Sequence, residues 1–359
     1  MKIYDIKGMS CRFGMAAMVL AASAALISCG DDEPATGPQV STEPKAESAT
    51  TAAGATATVA PEEQMLDILL YKVVNRLSTG GLKSPFSAEL RDILSLLNEY
   101  YTLNGAKLTG SPKKVQLAML IAEMRLNFRG YAEAVKEYDR ALADFDAMAE
   151  ADRKNPEYAA WLSSIYFGKA SAQIGCGQRD AALETAQLRL KTDSERYAAN
   201  PVPEKPNTPV TPHTRQAAED ILSSYRVLAE MMMNSDPEEA RDIFAKGAQV
   251  GRDAARVGHL NVQMQYVRLL NAAAGHENAC GQKQKALEYY TEAMKRCAAM
   301  YQASQDKNVR NAFASIYNSM NPLVADLKKE LSPETPEEPA QEALPTETPE
   351  GEPAAEPAL

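Results

Sequence analysis

The chain has little of what catalytic and sugar-stacking proteins usually display. One tryptophan and an aromatic share of 6% in 359 residues leave few flat side chains for a strand-rich core or a glycan platform. Only three histidines occur, His213, His259 and His276. None has a Cys, His or carboxylate at the spacing of a metal site, so each reads as a loop or surface residue. A phosphate-binding Gly-rich loop with its Lys and Ser/Thr is missing, as are a G-x-S-x-G elbow and a cysteine in a local catalytic context. Paired acids such as Glu238 and Glu239 fall on helix surfaces. The residues therefore offer no catalytic group, metal ligand or cofactor site, and the chain reads as a non-enzyme.

Basic clusters are scarce as well. The net charge is −10, and it is unevenly spread: residues 1–30 carry +2, residues 31–60 carry −4 and residues 331–359 carry −8, leaving residues 61–330 neutral. A neutral body without a dense Lys/Arg face gives no support to nucleic-acid binding. What the chain does have is alanine at helical spacing within a hydrophobic content of 45%, which favours closely packed helices over strands.

At the N-terminus Lys2, Lys7 and Arg12 precede an apolar run from Met15 that ends Leu26-Ile27-Ser28-Cys29. Charge followed by a short apolar core and small residues is the pattern of a signal peptide, here residues 1–28, and the run falls short of the ~20 residues that span a bilayer. Its end resembles the lipobox of bacterial lipoproteins. That resemblance implies a fatty-acyl (palmitate-type) modification of Cys29 as the mature N-terminus, and membrane attachment through that lipid. Gly30, in place of Asp after the cysteine, implies an outer-membrane destination, and Asp31-Asp32-Glu33 is similar to the surface-export signal of some Bacteroidetes lipoproteins. Residues 29–60 then lack an apolar period and read as a disordered tether, with a random-coil reach of ~30 Å.

The body, residues 61–331, is expected to be helical throughout. Met65 to Leu77 and Ala88 to Tyr101 form a first pair, the second with Leu90, Ile93, Leu94, Leu96 and Leu97 on its apolar side. Leu117–Phe128 and Tyr131–Leu142 form the next. Further pairs open near Pro156, Arg215 and Leu260, and a last helix, Val309 to Leu331, carries Phe313, Ile316, Tyr317, Met320, Leu323 and Leu327 inward. The stretch Gly281-Gln282-Lys283-Gln284-Lys285-Ala286-Leu287-Glu288-Tyr289-Tyr290-Thr291-Glu292-Ala293 resembles the second half of a tetratricopeptide (TPR) repeat in its Gly281, Ala286, Tyr290 and Ala293. Cys176-Gly177-Gln178 echoes Cys280-Gly281-Gln282, and Tyr131, Ala134, Tyr138 and Ala141 fit the same pattern with Gly130 one place late. The matching alanines, Ala134, Ala182, Ala240 and Ala286, stand 48, 58 and 46 residues apart, against about 34 for the family. Longer helices and an insertion at residues 200–212 account for the excess.

The expected fold class is thus all-α: a helical-hairpin repeat solenoid, TPR-like, between a disordered N-terminal tether and a disordered acidic tail at residues 332–359. The tail holds seven prolines, eight glutamates and no basic residue. Cys176 and Cys280 occupy equivalent places two repeats apart, too distant for a bridge. Buried thiols are the expectation, with a cross-repeat bridge through Cys297 as the alternative. The resemblance implies a groove lined by the first helix of each repeat, facing a protein or peptide partner with Met119, Phe167, Tyr225 and Asn271. It also implies an envelope scaffold or adaptor; a glycan-binding outer-membrane lipoprotein is the second reading.

Overall fold

The computed structural model describes residues 65–66, 88–205 and 209–332. Cys29, the tether, most of the expected helix Met65 to Leu77 and the acidic tail after Ser332 lie outside the described residues. Every regular element described is helical: α1 (Ala88–Asn104), α2 (Pro112–Asn127), α3 (Tyr131–Asp146), the single turn α4 (Glu150–Arg153), α5 (Pro156–Gly175), α6 (Arg179–Ala199), α7 (Pro212–Met232), α8 (Pro237–Ala254), a 3-10 turn (Ala255–Val257), α9 (Leu260–Ala279), α10 (Lys283–Ala303) and α11 (Lys307–Leu331). The chain divides after Met148 into two compact units.

In the first unit α1 packs on α2 and α2 on α3. Leu90, Leu94 and Leu97 enter a core with Leu66, Leu117, Ile121 and Met124, because a step of three or four residues returns to the same helix face. Leu96 was expected inward but is 55% exposed, since it falls between those steps. Ser111 starts α2 by accepting from the Lys113 amide at 3.3 Å, with Pro112 at the position whose missing N–H costs nothing.

In the second unit α5/α6, α7/α8 and α9/α10 are antiparallel hairpins, and α11 packs on α10. The first helices α5, α7 and α9 pack on one another in succession, and each second helix also meets the next first helix. The last helix buries Phe313, Ala314, Tyr317, Met320, Val324 and Leu327. Leu323 lies one step off that stripe and is 40% exposed, so Val324 takes the inward place expected of it. The opposite face shows Ala312, Ser315, Ser319, Asp326 and Glu330, which suits a helix that ends a stack.

The repeat has a common joint. Gly130, Gln178, Asp236 and Gln282 are the N-caps of α3, α6, α8 and α10, and their carbonyls accept from the amides of Ala134, Ala182, Ala240 and Ala286 at 2.8 to 3.0 Å. All four alanines are fully buried. A larger side chain there would force the paired helices apart. The turns before α6 and α10 are the same: Gly177 and Gly281 take φ of +76° and +77°, and Gln178 and Gln282 donate back to Gln173 and Glu277 carbonyls at 2.8 Å. Before α3 the same turn puts Arg129, not glycine, in the left-handed position (φ +60°), and Gly130 donates to the Arg125 carbonyl. This is why Gly130 stands one place late. Before α8 the device changes: the Asp236 carboxylate accepts from the Glu239 amide at 3.0 Å, with Pro237 following.

Candidate functional site

Within the second unit the second helices spend their apolar faces on the hairpin core. The first helices are left with a free flank. On α9 this flank carries Asn261, Arg268, Asn271 and Asn278, all exposed at helical intervals. On α7 Tyr225 and Arg226 are half-buried beside exposed Glu230, and on α5 Phe167 is half-buried. The Tyr225 ring base is seated by Gly247 of α8: a Cβ there would come within 2.8 Å of both Tyr225 Cβ and Leu269 Cδ1. Burial raises the Tyr225 phenol above its ordinary range.

Of the residues expected to face a partner, Phe167 and Tyr225 are half-buried, Asn271 is exposed, and Met119 is buried in α2 of the first unit. Phe167, Tyr225 and Asn271 sit on the three successive first helices of one unit. They stand fifteen residues before Ala182, Ala240 and Ala286 respectively.

Behind Phe167 lies a polar cluster that sequence reasoning missed. Asp193 Oδ2 accepts from Ser163 at 2.9 Å and Ser224 at 2.6 Å, while Oδ1 accepts from Arg196 at 3.2 Å. Arg189 donates to Ser163 at 3.2 Å and Ser223 at 3.3 Å, pairs with Asp193 at 3.5 Å and lies 4.7 Å over the Phe167 ring. Arg196 also pairs with Asp220 at 2.8 Å. Burial pushes the Asp193 carboxyl up and the Arg189 guanidinium down; their mutual attraction and the serine donors work against that. Counted from the joint, Arg189 stands where the other hairpins have Ala141, Gly247 and Ala293, and Asp193 where they have Phe145, Gly251 and Cys297. The available signal was two charged residues in phase with an apolar stripe.

Arg226 of α7 is held by Glu230 through both carboxylate oxygens, at 2.9 and 2.8 Å. Among the described residues no carboxylate pairs with Arg268 of α9. Its guanidinium is pushed below its ordinary range by partial desolvation and then by the neighbouring Arg226 charge.

His276 corrects an expectation. It is buried rather than a loop or surface residue, because α9 continues past Ala274 to Ala279 and carries the ring into the hairpin. Its Nε2 lies 2.9 Å from the Pro237 carbonyl and 3.7 Å from Cys280 Sγ, and the ring is 5.7 Å from Phe244. Cys176, Cys280 and Cys297 are free thiols. Only Cys297 is fully buried, which pushes its thiol up to about 12; Cys176 and Cys280, at the turns, are half-exposed. Among the described residues no cluster of three metal-ligating side chains occurs.

No family model and no curated protein matches the chain. Solved structures do. The crystal structure of Podosopora anserina "kinesin light chain nearly identical TPR-like repeats" aligns at 16% identity over 67% of this chain and 97% of that one, with a TM-score of 0.44. A point variant of the same protein gives 16% identity over 68% and 100%, with a TM-score of 0.47. BtubC (BKLC) from P. vanneervenii aligns at 12% identity over 73% and 97%, with a TM-score of 0.44.

Proposed function

We propose that the protein is a lipid-anchored scaffold of a bacterial envelope, tethered through Cys29, that binds a protein or peptide partner on the free flank of α5, α7 and α9. One observation carries the binding half: successive first helices present Phe167, Tyr225 and Asn271 at the same repeat position, flanked by arginines, while the second helices are committed to the core. Half-buried aromatics beside arginine are the residue types on which interface energy concentrates. The anchoring half is supported by the charged and then apolar segment ending Leu26-Ile27-Ser28-Cys29.

Cross-linking in intact envelopes followed by affinity capture tests the binding half, and metabolic fatty-acid labelling tests the anchor. Wild-type protein is expected to retrieve a discrete protein partner. Tyr225→Ala, with an unchanged thermal melt, is expected to weaken capture by about 2 kcal/mol, roughly thirtyfold. Cys29→Ala is expected to lose a metabolic fatty-acid label. Retrieval of glycan instead of protein, or of the same partner equally by wild type and Tyr225→Ala, would end the groove reading; equal label on Cys29→Ala would end the anchor.

A further inference from the structure

The charge of Arg226 on α7 lies within electrostatic reach of two further guanidinium groups, Arg189 of α6 and Arg268 of α9. Each has something left unmet. Arg189 is 4% exposed, and its Nη1 is buried without an acceptor. The Nε of Arg226 is likewise buried without an acceptor, its Glu230 contacts being made by Nη1. Arg268 has no carboxylate partner among the described residues, although part of its hydration is already lost. Asp193 and Glu230 balance the charges of Arg189 and Arg226, so the row keeps an excess of one positive charge, with buried unfilled donors on α6 and α7. A buried N–H without an acceptor costs about 1–3 kcal/mol, and a desolvated cation more. Such a row suits a ligand that brings carboxylates.

The chain carries one. Residues 333–359 hold eight glutamates and no basic residue. They continue from α11, which packs on α10, which packs on α9. At 8–10 Å between neighbouring axes, α9 lies about 20 Å from α11 and α7 about 10 Å further. A chain of 27 residues spans about 30 Å as a coil and about 90 Å when extended. The spacing also agrees. In the polyproline conformation that the seven prolines favour, residues three apart share a face at ~9 Å. Glu334 and Glu337, or Glu347 and Glu350, would then match arginines on adjacent helices. We propose that the acidic tail, residues 333–359, is an internal ligand of Arg226 and Arg268, with the buried Arg189 adding to the positive field behind them, docked in cis and displaced when a partner engages the same flank. This rests on that flank being the binding surface.

The tail thus acts as a competitor whose effective concentration is set by its tether, in the millimolar range for a short flexible link. Even a millimolar-affinity contact then leaves about half of the molecules docked. Limited proteolysis of the purified full-length chain by subtilisin reads this directly. At low salt, cleavage within the tail is expected to be at least about twofold slower than at 0.5 M salt, where the Debye length shrinks to roughly 4 Å. The protection should vanish in Arg226→Gln/Arg268→Gln, and equally when all eight tail glutamates become Gln on an unaltered body. Thermal melts confirm that the arginine variant is folded, and the tail variant leaves the body sequence untouched. Equal cleavage in all three proteins overturns the proposal, as does protection that survives Arg226→Gln/Arg268→Gln. If the tail is unprotected while cross-linked envelopes still yield a partner, only the tail docking fails. A protected tail in a protein that captures nothing would leave the docking standing and remove the scaffold.

Discussion

At the scale of single residues, the joints show how one side chain is accommodated against the backbone's preference. Arg129 takes the left-handed conformation that Gly177 and Gly281 supply in the equivalent turns, and for a residue with a Cβ that conformation costs roughly 1–2 kcal/mol. Arg129→Gly should stabilise the protein by about 0.5–1 kcal/mol after the greater freedom of glycine in the unfolded chain is subtracted, a gain readable as a higher denaturant midpoint. An unchanged or lower midpoint would mean that the arginine side chain makes up for its backbone. The turn is open to sequence reading: five residues back from Ala134, Ala182 and Ala286 stand Arg129, Gly177 and Gly281, and the glycine beside Arg129 draws the eye one place on. Glu123 of α2 is a second such case, within electrostatic reach of Tyr138 of α3, where burial lifts its carboxyl to about 7 from 4.5. Its folded pKa exceeds its unfolded one, so the folded state holds the proton more tightly. The penalty is absent below about pH 4.5, grows as pH rises toward 7 and is complete above it. Glu123→Gln should therefore raise stability at pH 8 by on the order of 1–3 kcal/mol and leave it little changed at pH 4. Parallel denaturant curves at the two pH values check this, and a gain of equal size at both would dismiss the titration.

Among the elements, α6 differs from its counterparts. α3, α8 and α10 meet their neighbours with Ala, Gly, Phe and Cys at the places where α6 brings Arg189 and Asp193. Because Asp193 is fully buried and accepts from two serines and an arginine, Asp193→Ala should strand Arg189 and cost about 3–5 kcal/mol. Replacing both by leucine should cost far less, since the partners then leave together. Equilibrium unfolding of the single and double variants distinguishes them; equal losses would show that the cluster is incidental. The hairpins themselves were legible because Ala182, Ala240 and Ala286 repeat with an aromatic or small residue four places on, and that pattern is what packing of two helices demands. The cluster was not legible, since it is made across three helices, with Ser163 on α5 and Ser223 and Ser224 on α7. No local pattern announces serines that find one carboxylate 30 residues away. The half-buried state of Phe167 and Tyr225 was hidden for the same reason: it depends on Arg189 beneath one and Gly247 beneath the other.

Over the whole molecule, sequence and structure inform different stretches. Composition speaks for the two ends, where charge, proline and the lipobox-like segment stand outside the described helices, whereas packing speaks for residues 88–205 and 209–332. The second unit is a chain of near-neighbour contacts: α11 meets α10, α10 meets α9, and α9 meets α7 and α8. Among the described residues no distant element clamps the end of that series. A mechanical load on the C-terminal side would consequently be borne first by the α10–α11 seam alone, and the unit would lengthen stepwise, one helix at a time, instead of rupturing in a single event. The stepwise yielding should stall at α6 and α7, where the Asp193 cluster ties three helices together. Under tension this unit would act as a graded spring with a built-in stop.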